Sequence, residues 1–177
     1  STTDNGFFVD NRTKSNVTAS WGTTANSVAA QRSNSNDALT IKYAYNETGN
    51  FPTTANTTFS SGTVFNTEGK YLLSISDKAG NISTYKFEIY RKPPTFSILS
   101  ESGAELHSAY NAFNINIKLI FGNTITARLN SHNYVSGSLI TEEGEYSVTL
   151  TDELGNRSTE TVYMIKTPPT ANFDVLK

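Results

Sequence analysis

The sequence predicts an all-β protein made of two tandem β-sandwich domains joined by a short Pro-Pro linker. The main observation is a repeat, because residues 61–95 and residues 136–170 align without a gap at an offset of 75 positions. A fixed period of this kind is typical of tandem modules. The second observation is hydrophobic alternation with period two, which indicates strands that bury one face. No helical periodicity lasts long enough to predict a helix.

Composition limits the possible functions. The 177 residues include no cysteine, so neither a disulfide framework nor a thiolate metal site is possible. A net charge of −2 provides no basic pattern for nucleic acid or anionic membranes. No apolar run approaches the roughly 18 residues of a membrane span. We therefore expect no nucleic-acid partner, no membrane insertion and no cofactor.

The first long strand of each unit places its apolar residues on one face. In the second unit, the predicted strand has the inward residues Phe113, Ile115, Ile117, Leu119 and Phe121. Its predicted counterpart in the first unit has Leu39, Ile41, Tyr43 and Tyr45. Because polar residues occupy the alternate positions in the second unit, we expect a half-buried strand there.

A hairpin follows in each unit, and its turn carries the motif Asp-x-x-Gly-Asn. The motif residues are Asp77, Gly80 and Asn81 in the first unit and Asp152, Gly155 and Asn156 in the second. The Asp side chain can accept from backbone N–H groups two residues on, while Gly and Asn tolerate positive φ. Calcium binding is the alternative, but one carboxylate per turn is too few for the six or more oxygen ligands that calcium prefers. We interpret the motif as a turn without metal.

A Gly-x-Tyr motif opens the next-to-last strand of each unit, at Gly69 and Tyr71 and again at Gly144 and Tyr146. In immunoglobulin-type sandwiches, a tyrosine near this corner sends its hydroxyl back to the upstream backbone. We expect the same role here, with packing in the core as the alternative.

Two Pro-Pro pairs, at residues 93–94 and 168–169, close the units. Consecutive prolines cannot donate to a sheet and favour a stiff, extended path. The predicted domains are residues 1–93 and 94–168, followed by residues 169–177 as the start of a third module or a terminal strand. We therefore expect this chain to be a piece of a longer protein, with neighbouring domains as partners.

The first domain is predicted to contain an insertion around residues 12–35, which holds the only tryptophan, Trp21. Insertions can add function without disturbing a scaffold. Trp21, with Tyr43, Tyr45 and Phe51, is the candidate ligand site, since aromatic faces stack on sugar rings. The alternative is that Trp21 fills the end of the core, where it would bury a large apolar area.

Catalytic groups are not apparent. His107 and His132 are the only histidines, and with no cysteine nearby they form no recognisable zinc motif. Glu142 and Glu143 are adjacent, so on a strand they would point to opposite faces and could not act together. The repeat preserves a skeleton with no reactive group, so we expect no enzyme activity.

Residues 135–162 resemble the C-terminal half of bacterial immunoglobulin-like (Big-type) repeats, whose signature is a Gly-x-Tyr strand followed by Asp-x-x-Gly-Asn. Residues 61–87 match the same pattern, and the resemblance covers residues 37–170. It implies immunoglobulin-like sandwiches with no catalytic residues, occurring in tandem on secreted or cell-surface proteins of bacteria, often Gram-positive ones.

The resemblance implies non-catalytic modules that act as a stalk or spacer, with possible adhesion to a glycan or a host surface protein. We expect an extracellular location, at the cell surface or cell wall, and a monomeric fragment. The first alternative is a carbohydrate-binding accessory region of a secreted polysaccharide-active enzyme. The second is self-assembly through exposed edge strands.

Overall fold

The computed structural model describes residues 2–4, 11–19, 39–76 and 80–172. These residues form sixteen strands and no helix, so they contain no helix that could span a membrane. The prediction of an all-β protein is confirmed. The chain divides into two compact units, Ser1–Lys92 and Pro93–Lys177.

The first unit contains eight described strands in two sheets. The strands are β1 (Thr2–Asp4), β2 (Arg12–Thr13), β3 (Val17–Ala19), β4 (Thr40–Asn46), β5 (Thr57–Thr58), β6 (Thr63–Phe65), β7 (Gly69–Ser76) and β8 (Ile82–Ile89). One sheet has the order β1-β3-β6 and the other β2-β8-β7-β4-β5. All pairs are antiparallel except β2 and β8, which are parallel.

The second unit repeats this arrangement. Its strands are β9 (Ser97–Ser100), β10 (Ala112–Phe113), β11 (Ile117–Ile120), β12 (Thr126–Leu129), β13 (His132–Tyr134), β14 (Leu139–Ile140), β15 (Gly144–Thr151) and β16 (Arg157–Met164). The sheets have the orders β14-β11-β9 and β10-β16-β15-β12-β13, and β10 is parallel to β16. Taken in chain order, every strand pairs as its counterpart does in the first unit.

Each unit buries one core between its two sheets. In the first unit, Val17 and Phe65 from the three-stranded sheet meet Tyr71, Phe87 and Ile89 from the five-stranded sheet. The corresponding buried set in the second unit is Ile98, Phe113, Ile117, Leu119, Ala127, Ile140, Val148, Leu150, Val162 and Met164. Strands with period two supply these residues because alternate side chains point to the same face.

The predicted single strand at residues 113–121 is wrong, because the chain changes sheets within it. Phe113 belongs to β10 in the five-stranded sheet, whereas Ile117 and Leu119 belong to β11 in the three-stranded sheet. Ile115 lies in the connection and is 44% exposed. The alternation continues through this switch since both short strands direct their odd-numbered residues into the same core.

The predicted match between the strand of Ile41 and the strand of Ile117 is also wrong. Ile41 lies opposite Ile75 on β7, and the residue opposite Leu150 on β15 is Ala127. Because Ile75 and Leu150 are repeat equivalents, β12 is the counterpart of β4. The strand of Ile117 corresponds instead to β3, which also pairs with the sixth strand of its unit.

These matches also correct the position of the insertion. Residues 12–19 form β2 and β3, which have counterparts in the second unit, so they are not inserted. The extra length lies partly in the β3–β4 connection and partly in the β4–β5 connection, residues 47–56. The second unit joins β12 to β13 through residues 130–131 alone. The sequence analysis misplaced the insertion because β2 and β3 are only two and three residues long, too short for alternation to reveal them.

Several predicted features lie outside the described residues. These are Trp21, Asp77 and most of the tail at residues 169–177, of which residues 169–172 are described and form no strand.

Candidate functional site

The predicted ligand residues Tyr43, Tyr45 and Phe51 line one open cleft of about 490 Å³ in the first unit. The two tyrosines lie on β4, and Phe51 lies in the β4–β5 connection. Trp21, the fourth predicted residue, lies outside the described part of the chain. The remaining lining is mostly polar and includes Asn56.

Both tyrosine rings also pack on the core of the first unit. The ring centre of Tyr43 is 5.3 Å from that of Phe65, and the ring centre of Tyr45 is 4.9 Å from that of Tyr71. The Tyr45 hydroxyl donates to the carbonyl of Glu68 at 2.6 Å. These contacts fix the two rings as parts of the scaffold, which leaves Phe51 as the predicted ligand residue outside the core cluster.

A second cleft, of about 480 Å³, lies in the second unit and includes Phe96, Glu105, His107 and Glu160. His107 Nε2 is 3.9 Å from the carboxylate of Glu105. In the described ranges, no group of three or more His, Asp or Glu residues could hold a metal ion. His132 lies elsewhere, on edge strand β13.

The Gly-x-Tyr tyrosines make the hydrogen bond expected at a sandwich corner. The Tyr71 hydroxyl donates to the carbonyl of Thr67 at 2.8 Å, and the Tyr146 hydroxyl donates to the carbonyl of Glu142 at 2.8 Å. Burial, together with the neighbouring Tyr45, raises the pKa of Tyr71 to about 12. The hydroxyl therefore stays protonated, and able to donate, well above neutral pH.

The two motif glycines meet different constraints. Gly69 has a φ of 141°, and a Cβ there would collide with the ring of Tyr45 and lie 2.7 Å from the backbone oxygen of Asn46. At Gly144, the nearest atoms to a Cβ would be those of the Tyr146 ring at 3.7 Å, and φ is not positive. Only the first unit therefore needs glycine at this position.

The Asp-x-x-Gly-Asn turn is fully described in the second unit. Asp152 Oδ1 accepts from the backbone N–H of Leu154 at 3.0 Å and of Asn156 at 2.7 Å, while Oδ2 accepts from the Asn156 amide at 2.9 Å. Gly155 and its counterpart Gly80 have φ values of 78° and 88°. Asn156 does not have the expected positive φ, because its side chain closes the turn instead.

A hydrogen-bond network at the end of each last strand was not predicted from the sequence. We call it the exit network, formed in the first unit by Asn16, Asn66, Glu68 and Arg91. Arg91 donates from Nη1 to the Asn66 carbonyl at 2.7 Å and from Nη2 to Asn16 Oδ1 at 2.8 Å. The backbone N–H of Arg91 donates to Glu68 Oε1 at 2.7 Å. Arg91 thus ties the chain that leaves β8 to two other connections.

The exit network of the second unit consists of Asn116, Thr141, Glu143, Lys166 and Thr167. Lys166 Nζ donates to Asn116 Oδ1 at 2.7 Å and to the Thr141 carbonyl at 2.6 Å. Glu143 accepts from the backbone N–H of Lys166 and from the Thr167 hydroxyl, the latter at 2.7 Å. The hydrogen bonds from Thr167 are the main cause that lowers the pKa of Glu143.

The two exit networks share four equivalent positions. The carboxylates Glu68 and Glu143, the cations Arg91 and Lys166, and the accepting carbonyls of Asn66 and Thr141 keep the repeat offset of 75. The asparagines Asn16 and Asn116 match through β3 and β11. A repeated Glu and a repeated cation were the available sequence signals, but the asparagine pair was hidden by the different length of the first unit.

Comparisons with known protein families, with curated proteins and with solved structures find no match to this chain. What the chain does is therefore inferred from its own contacts.

Proposed function

We propose that the two units are immunoglobulin-like spacer modules of a bacterial cell-surface or secreted protein, with no catalytic role. The observation that carries this proposal is the exit network, which is built twice at the point where the chain leaves each unit. Each network precedes a Pro-Pro pair. A module that positions its neighbour needs a rigid chain segment after its last strand, whereas a catalytic domain has no such requirement.

The strand order supports the immunoglobulin-like assignment. Each unit packs a three-stranded sheet against a five-stranded sheet, and the chain changes sheets between its first two strands. The tyrosine that opens β7 or β15 donates to upstream backbone, as in the corner typical of that fold. The tandem occurrence and the lack of cysteine agree with a bacterial surface protein.

The pairing of the second and last strands suits a load-bearing role. In the first unit, the N–H groups of Glu88 and Tyr90 donate to the carbonyls of Asn11 and Thr13 at 2.9 Å and 2.8 Å. Because β2 and β8 are parallel, a force that pulls the two ends of the unit apart acts along these strands. It therefore loads all hydrogen bonds between them in shear at the same time. The same geometry recurs in β10 and β16.

Pulling single molecules by their ends tests the proposal. We expect Lys166→Met to lower the unfolding force of the second unit, because Lys166 joins the exit to two other connections. Lys118→Met is the matched control, since Lys118 carries the same charge in the same unit but donates to the Glu101 carbonyl. Equal forces for both variants and the unmutated chain would contradict the proposed role of the exit network.

The second candidate function is glycan binding by an accessory domain, and the cleft at Tyr43, Tyr45 and Phe51 favours it. A panel of neutral glycans can be titrated while the fluorescence of Trp21 is followed. Saturable binding that is lost in Phe51→Ala would support this candidate. No binding to any glycan of the panel would reject it.

A further inference from the structure

One face of the first unit carries three lysines, one on each of the neighbouring strands β8, β7 and β4. Tyr71 and Leu73 of β7 point into the core, so Lys70 and Leu72 point to the opposite, outer face. Leu72 lies between Lys86 of β8 and Ala44 of β4. By the same alternation, Lys42 lies on the outer side of β4, opposite Ser74. We call Lys42, Lys70 and Lys86, together with Phe51, the lysine face.

Phe51 lies near two of these lysines. The ammonium nitrogens of Lys70 and Lys86 lie 5.6 Å and 5.9 Å from the centre of the Phe51 ring. Lys70 also donates to the carbonyl of Gly49 in the same connection. The ring's negative face attracts cations at this range, so Phe51 helps to hold both ammonium groups on this face.

These charges have no acidic partner in the described part of the chain. None of the three lysines there forms an ion pair. Glu88 of β8 lies directly opposite Lys70 of β7. Its carboxylate is 2.7 Å from Arg12 Nε, so the charge of Arg12 balances that of Glu88. Among the residues that the structure describes, the lysine face therefore carries a net positive charge.

The second unit lacks this arrangement although it has the same sheet. The positions equivalent to Lys42, Lys70 and Lys86 are Arg128, Glu145 and Thr161, which together carry no net charge. The connection that carries Phe51 is reduced there to two residues. Residues 1–92 contain nine Lys and Arg against seven Asp and Glu, and residues 93–177 contain five against nine. The basic face is thus specific to the first unit.

The open cleft adjoins the lysine face through Phe51. It is also lined by Thr53, Thr54 and Asn56, whose hydroxyl and amide groups can hydrogen-bond to the hydroxyls of a sugar. We propose that the lysine face and this cleft bind an anionic polysaccharide that carries carboxylates. Nucleic acid is disfavoured because its densely charged backbone is bound by more cations than the three lysines of this face provide. This inference goes beyond the spacer function and does not depend on it.

Affinity electrophoresis and calorimetry of the whole chain test the proposal, with polygalacturonate as the probe and uncharged dextran as the control polymer. We expect binding to polygalacturonate that weakens as salt screens the charges, and none to dextran. The double variant K42Q/K86Q should weaken binding at least tenfold. Arg128→Gln, at the position in the second unit equivalent to Lys42, should change it less than twofold.

Phe51→Leu keeps an apolar side chain but removes the ring that positions the two lysines, and it should weaken binding at low salt. Circular dichroism checks that each variant is folded. The proposal is overturned if the unmutated chain does not bind polygalacturonate, or if K42Q/K86Q binds as well as the unmutated chain. Equal binding of polyglutamate would overturn the assignment to a polysaccharide, because charge alone would then suffice.

Discussion

The substitution Gly69→Ala should destabilise the first unit strongly, whereas Gly144→Ala, at the equivalent position, should not. A φ of 141° is in the region that side chains avoid, which costs about 1–3 kcal/mol. The contact of the new Cβ with the Asn46 oxygen, at 2.7 Å, adds overpacking of about 1–3 kcal/mol. We expect a total loss of roughly 2–6 kcal/mol from the two effects together.

The surroundings of Gly69 cannot relax easily. The Tyr45 ring is held by its hydrogen bond to Glu68 and by packing on Tyr71, and the Asn46 oxygen belongs to the backbone of β4. A Cβ at Gly144 would make only ordinary van der Waals contacts, so Ala there should change stability by less than about 1 kcal/mol. In a unit of this size, 3 kcal/mol lowers the melting temperature by at least about 12 °C.

Calorimetry measures both transitions, and hydrogen exchange of peptides from β7 and β15 assigns each to a unit. In a Tyr45→Ala background, part of the cost of Gly69→Ala should disappear, since one of its two collisions is removed. The reasoning is refuted if Gly69→Ala costs less than about 1 kcal/mol, or if Gly144→Ala costs as much.

Three further predictions concern the turns and the exit. Tyr71→Phe should lower the free energy of unfolding, measured in urea, by about 1–2 kcal/mol, because the Thr67 carbonyl loses a part-buried donor. An unchanged urea midpoint would contradict this prediction. Asp152→Ala removes three hydrogen bonds and should lower the free energy of unfolding by about 2–3 kcal/mol; an unchanged stability would contradict this. The lowered pKa of Glu143 means that its stabilisation is present above pH 4.5 and is lost as pH falls through the folded-state value. Acid titration of the unmutated chain and of Glu143→Gln should therefore differ, and identical curves would count against the exit network.

The repeat was enough to predict the last two strands of each unit, the tyrosine corner and the Asp turn, because each of these depends on residues close together in sequence. The Tyr71 bond spans four residues, as do those of Asp152. Local patterns of this kind are visible in a single sequence. The first Pro-Pro pair, at residues 93–94, lies beside the unit boundary between Lys92 and Pro93.

The remaining features depend on contacts distant in sequence. Arg91 reaches Asn16 across 75 positions, and nothing local marks that asparagine as its partner. The chain passes from one sheet to the other between β10 and β11 without interrupting the alternation of apolar and polar residues. The sequence therefore does not reveal that two strands are present. Tyr43 and Tyr45 were proposed as ligand residues from their aromatic rings, but alternation along β4 turns both toward the core.

End-to-end pulling of the unmutated chain tests most directly whether the units are load-bearing spacers. The account predicts two separate unfolding events, each releasing at most roughly 28–33 nm of chain at 3.3–3.6 Å per residue. Both events should show a distinct force peak, because the parallel second and last strands of each unit are loaded in shear. A single event for the whole chain, or extension without a force peak, would contradict the account.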